Sequence, residues 1–142
     1  MRRIEEGQAY ALDCFTKGCN CAESVLRGTC HAQYLDIPDA CLRMATPFGG
    51  GIGRSEDVCG ALTGGVMAIG ACLGRTSPDG DKRRSYDAAN RFFKDFVQTL
   101  GSSRCGILNK GDFGSPEHRA RCGGFAQEAT RLAILAIRND TA

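Results

Sequence analysis

No stretch of this 142-residue chain alternates apolar and polar residues as a half-buried strand must, whereas apolar residues recur at helical spacing almost throughout. That period restricts the chain to an all-α fold, and we expect a compact bundle of five or six helices. A first helix is expected from about Arg3 to Lys17, with Ile4, Ala11, Leu12 and Phe15 on one face and Gly18 ending it. Asn20, with Glu23 three residues later, forms the capping box of a second helix. Its stripe is Cys21, Val25, Gly28, Ala32 and Leu35. Pro38 opens a short helix to about Ala45. Ser55 is the expected cap of a fourth, with Cys59, Leu62, Val66, Ile69 and Leu73 inward. After the turn Ser77-Pro78-Asp79-Gly80-Asp81, a fifth helix to Leu100 turns Tyr86, Ala89, Phe93, Phe96, Val97 and Leu100 to the core. Ser102 or Ser103 caps a short turn bearing Cys105. Ser115-Pro116 starts the last helix, with Cys122, Phe125, Ala126, Ala129, Leu132, Ala133 and Ala136 in register.

Within that frame, Cys59-Gly60-Ala61-Leu62-Thr63-Gly64-Gly65 is costly, because each Gly in a helix sacrifices about 1 kcal/mol relative to Ala. The cost is explained if another backbone or a bulky group approaches there. Gly60 and Gly64 are four apart and share one helix face, so they are the expected contact points.

The length suits one domain, residues 1–142, that buries its own core without staples. Arg2-Arg3 is followed by glutamates and no apolar segment, so no secretory leader is expected. The uncharged run from Val58 to Gly74 is too rich in glycine for a membrane span and reads as a buried helix. With nine cysteines, an odd number, the chain is expected in a reducing cytoplasm, its thiols free or metal-bound. The net charge of +2 is nearly balanced, Lys82-Arg83-Arg84 is the one basic cluster, and tryptophan is absent. Nucleic acid and membrane are therefore not expected partners.

Four of the cysteines stand apart. Cys21 follows the Asn20 cap, Cys59 lies four residues after Ser55, and Cys105 lies two or three after its serine, so each feels the positive end of a helix dipole. Cys122 lies deeper in the last helix. Cys21, Cys59 and Cys122 also share the inward stripes, and thiolates meeting in a low-dielectric interior require a cation or cluster to neutralise them. A free cysteine is otherwise a small buried hydrophobe, and the intervals here match no compact zinc or ferredoxin pattern. Cys19-Asn20-Cys21 is a C-x-C pair able to form a strained disulfide or chelate a soft metal. Cys30 and Cys41 flank a turn and are candidates to pair on oxidation, while Cys14 and Cys72 are assigned to the core. His31 and His118 are assigned surface or capping roles. Gly49 to Gly53 reads as a flexible connector, or else as a segment that approaches the cysteine site closely.

Asn20-Cys21-Ala22-Glu23-Ser24-Val25-Leu26, Phe48 to Gly53, Cys59 to Gly65, Cys105 and Cys122 together resemble the redox-active protein family labelled C_GCAxxG_C_C for its cysteine pattern, from about Ala9 to Leu135. Two features depart from the label: its central element puts Gly before Cys where this chain has Cys59-Gly60, and Cys19 is an extra thiol. The resemblance implies a small helical protein of redox chemistry with four shared cysteines, matching Cys21, Cys59, Cys105 and Cys122. Three functions remain open. The four cysteines bind an iron–sulfur cluster for electron transfer with a redox partner protein, with Gly60, Ala61, Gly64 and Gly123-Gly124 making room. Alternatively, the chain is a metal-free thiol/disulfide oxidoreductase or redox sensor. Third, it is an interaction protein with a structural zinc.

Overall fold

A computed structural model describes residues 2–141. Seven α-helices and one 3-10 turn follow in order: α1 (Arg2–Thr16), α2 (Cys21–Ala32), α3 (Asp39–Ala45), the turn Thr46–Phe48, α4 (Gly60–Leu73), α5 (Arg83–Leu100), α6 (Cys105–Asn109) and α7 (Pro116–Thr141). The all-α expectation holds, and the count exceeds the expected five or six because the turn bearing Cys105 closes a helix of its own. The described residues contain no strand, only an isolated antiparallel bridge between Val58 and Arg104.

α7 is the axis of the bundle and packs on α1, α2, α4 and α5. It can do so because one face is mainly small, with Ala126, Ala129, Ala133 and Ala136 buried beside Leu132 and Ile137. α2 crosses α4 at Gly64, where an added Cβ would lie 2.4 Å from the Ala22 carbonyl oxygen and 2.9 Å from its Cα. Gly60 faces the same helix, with the Ala22 amide and Cys21 Cβ beside it. The glycines therefore admit the backbone of α2.

The N-terminus of α2 is secured as its capping box foretells. Asn20 Oδ1 accepts from the Glu23 amide at 2.9 Å, and Glu23 Oε1 accepts from the Asn20 amide at 2.9 Å. The same pair reaches out to the 3-10 turn: Asn20 Nδ2 donates to the Thr46 carbonyl, and Thr46 Oγ1 donates to Glu23 Oε2. Asn20→Ala is expected to cost about 0.5–2 kcal/mol, the range for a lost N-cap, as a lower urea midpoint. An unchanged midpoint would mean that the cap contributes nothing.

Several expected faces differ. In α5 the buried row is Ala88, Phe92 and Phe96, while Tyr86 and Phe93 are 64% and 44% exposed. Phe92 and Phe93 are equally apolar, and the choice is made across the interface: a Cβ on Gly65 of α4 would lie 2.3 Å from Phe92 Cζ, so that glycine is the socket for the Phe92 ring. Leu12 and Val66 are likewise exposed, and Leu35 lies beyond the end of α2. Ser55 is not the cap of α4. Residues 50–54 and Glu56 are left-handed, and the helix starts only after the Val58–Arg104 bridge, with Cys59 itself at the N-cap.

Candidate redox site

The bridge places two of the four cysteines. The Cys59 amide donates to the Ser103 carbonyl at 2.8 Å and the Cys105 amide donates to the Asp57 carbonyl, so the starts of α4 and α6 are tied side by side. Arg104 adds an ion pair to Asp57 at 3.3 Å. Cys21 opens α2, and Cys122 lies in the second turn of α7 with its main chain beside Cys21: the Cys21 thiol is 3.9 Å from the Cys122 carbonyl oxygen. Cys21 is half-buried and the other three are buried. Each of Cys21, Cys59 and Cys105 lies within charge reach of Cys122, and Cys21 and Cys59 within reach of Cys105. Sequence positions 21, 59, 105 and 122 thus occupy one neighbourhood.

The protonation pattern follows from that crowding. The Cys21 thiol is held well above its ordinary range, first by its hydrogen bond to Cys122 and then by burial. Its partner is pulled the other way: Cys122 falls to about 6 because the Cys21 thiol donates to it, aided by His118 and Arg121 against the effect of burial. Burial pushes Cys59 up to about 12, although the Ala61 and Leu62 amides at the start of α4 favour its thiolate. Burial likewise raises Cys105, opposed by a hydrogen bond from Asn109.

Two elements of the site escape the sequence reading, Asn109 with its Arg121 partner and His118. Asn109 is 1% exposed, and its amide spans two of the cysteines. Nδ2 donates to the Cys105 carbonyl at 3.1 Å and approaches Cys105 Sγ at 3.7 Å, while Oδ1 faces Cys122 Sγ at 3.8 Å. Arg121 Nε donates to the same Oδ1 at 3.3 Å and its Nη2 pairs with Asp112 at 3.2 Å, which closes the α6–α7 loop over the site. His118 is hydrogen-bonded to Cys122 one turn away, so its role is not only the surface or capping one expected. His31 does lie at the surface, stacked on Tyr10 with ring centroids 4.1 Å apart. The signals available were the i, i+4 pairs Cys105/Asn109 and His118/Cys122.

The glycine loop follows the second of its two expected readings, close approach to the cysteine site. Gly50, Gly51, Ile52, Gly53 and Arg54 all have positive φ, between 54° and 72°, and form one left-handed turn. Amides of Ile52, Arg54, Glu56 and Asp57 close it onto the carbonyls of Phe48, Gly49, Gly50 and Gly51. Left-handed Ile52 and Arg54 cost about 1–2 kcal/mol each, strain of a kind concentrated at functional sites. A Cβ on Gly51 would lie 2.8 Å from Cys105 Cβ, so the loop is a wall of the cysteine site and not a flexible connector. Gly123 and Gly124 make no such wall: Gly123 faces Leu12 and Phe15 of α1, and Gly124 has open space.

An all-sulfur donor set suits a soft centre. Among the described residues no three His, Cys, Asp or Glu side chains are placed to hold one metal ion. The same four thiols would be the ligands of an iron–sulfur cluster or of a zinc ion.

This helical protein with a four-cysteine centre matches, over residues 19–134, the family described as "Putative redox-active protein (C_GCAxxG_C_C)". The chain belongs to that family. It is also similar to an uncharacterized protein of Archaeoglobus fulgidus, 27% identical over 150 residues that cover 98% of each chain. No solved structure matches it. No helix among the described residues is long and apolar enough to cross a membrane.

Proposed function

We propose that Cys21, Cys59, Cys105 and Cys122 are the ligands of an iron–sulfur cluster and that the protein exchanges electrons with a redox partner protein in a reducing cytoplasm. The observation that supports this best is the meeting of four thiols from α2, α4, α6 and α7 in one largely buried neighbourhood. A bound cluster supplies a one-electron couple whose potential depends on hydrogen bonds to its sulfurs and on exclusion of water. The chain's own residues govern both. Asn109 faces Cys105 and Cys122 together, Arg121 and Asp112 lock it from behind, and the Gly51 wall keeps solvent from Cys105.

A second reading is favoured by one contact, the hydrogen bond between the Cys21 and Cys122 thiols. As a metal-free dithiol the pair would give two electrons and two protons to a partner disulfide, leaving Cys21 and Cys122 joined and the partner as two thiols. Anaerobic purification followed by visible absorption, iron and acid-labile sulfide assays separates the readings. Bound iron with matching sulfide is the expected result. Protein free of both after reconstitution, but forming a Cys21–Cys122 disulfide with an oxidised dithiol, would replace the first reading by the second.

A further inference from the structure

α1 ends in a Schellman motif. The Gly18 amide (φ +116°) donates to the Phe15 carbonyl at 3.1 Å, and the Cys19 amide donates to the Cys14 carbonyl at 3.0 Å. In this motif the residue three from the helix end and the one just past the left-handed glycine bring their side chains together. Here both are cysteines, and the two thiols lie close enough for Cys19 to raise the cost of charging Cys14. The backbone bond also limits their separation: standard covalent lengths allow the two Cα atoms to lie no more than about 7 Å apart, within disulfide reach. Both side chains are half-buried, so a reactant can reach them. Cys14 is therefore not a core residue, and the partner offered to Cys19 is Cys14 and not Cys21.

We propose that Cys14 and Cys19 form a second redox site, a dithiol that exchanges with disulfides of small molecules or proteins independently of the four-cysteine centre. One thiolate attacks a sulfur of the incoming disulfide, forming a mixed disulfide and releasing one thiolate, which takes up a proton. The other cysteine then displaces the second thiolate and closes the Cys14–Cys19 bond. Two thiols of the chain lose two electrons and two protons, and the disulfide becomes two thiols. Burial and the neighbouring Cys19 hold the Cys14 thiol above its ordinary range, and the Arg27 guanidinium, within charge reach, opposes that shift; Arg27 Nε is buried and has no hydrogen-bond partner among the described residues. Asn20 remains free to cap α2 when the ring closes, because its bonds run to Glu23 and Thr46.

The test uses the full chain, purified anaerobically and equilibrated either with glutathione at graded ratios of disulfide to thiol or with an oxidised dithiol protein. Free thiols are then alkylated and the protein is cut with trypsin, which cleaves after Lys17 and separates peptides 4–17 and 18–27. The expected result is a cross-linked pair of these peptides, with fragment masses placing the bond between Cys14 and Cys19, and loss of that pair in Cys14→Ser and in Cys19→Ser. Closure by glutathione alone, or by the protein alone, identifies the source of the disulfide. Iron content should be the same in Cys14→Ser as in the parent, so this result stands apart from that for the four-cysteine centre. Full alkylation of both cysteines at every ratio, or a bond from Cys14 to Cys21, would overturn the proposal.

Discussion

Gly64→Leu is expected to cost the protein about 3 kcal/mol or more, a large part of the roughly 5–15 kcal/mol that holds a domain folded. Even the first carbon of the new side chain would lie 2.4 Å from the Ala22 carbonyl oxygen, 2.9 Å from its Cα and 3.0 Å from its carbonyl carbon. These atoms are helix backbone, so no rotamer change relieves the clash, and α2 must move away from α4 and carry Cys21 with it. Gly70 of the same helix has nothing within 4 Å of an added Cβ. Gly70→Ala should therefore stabilise by up to about 1 kcal/mol through helix propensity alone. Urea denaturation compares the two, and a Gly64→Leu midpoint at or above the parent's would show that the crossing of α2 and α4 does not depend on Gly64.

The second large effect is on the centre itself. Cys59→Ala is expected to abolish nearly all bound iron and sulfide while leaving the helical circular dichroism spectrum unchanged. Cys59 is 3% exposed at the N-cap of α4, where alanine loses one sulfur but leaves the Cys59–Ser103 backbone bond intact. Cys30→Ala is the control: Cys30 is 1% exposed on α2 and packs in a different cluster, with Leu26, Ala45 and Ala68. It should lose stability through its cavity and keep its iron. If Cys59→Ala retains the iron of the parent, Cys59 is a core residue only, and the cluster reading fails.

The helices of this protein were legible because each signal lies within one turn or two of its own chain. The Asn20–Glu23 capping box and the small-residue face of α7 are local patterns, and the structure reproduces both. The candidate cysteines were legible for a related reason, since helix starts, inward stripes and the family pattern all single out Cys21, Cys59, Cys105 and Cys122. Neither route reaches contacts between segments distant in sequence. Phe92 rather than Phe93 turns inward because α4 offers a socket at Gly65. The left-handed turn from Gly50 to Arg54 delays the start of α4 and moves the cap from Ser55 to Cys59, a shift that no helical periodicity encodes.

By itself, then, the sequence determined the secondary structure class, most of the helix starts and the four sulfurs of interest, because propensity, capping and periodic burial act over a few residues. Tertiary structure alone decided which thiols are neighbours. The Val58–Arg104 bridge aligns Cys59 with Cys105, α7 sets Cys122 against Cys21, and Asn109 reaches Cys122 across the α6–α7 loop. The closeness of Cys14 and Cys19 is local by contrast, made by the backbone hydrogen bonds that turn the chain at Gly18. Those neighbours set the chemistry, because a buried thiol takes its charge state from the groups that face it.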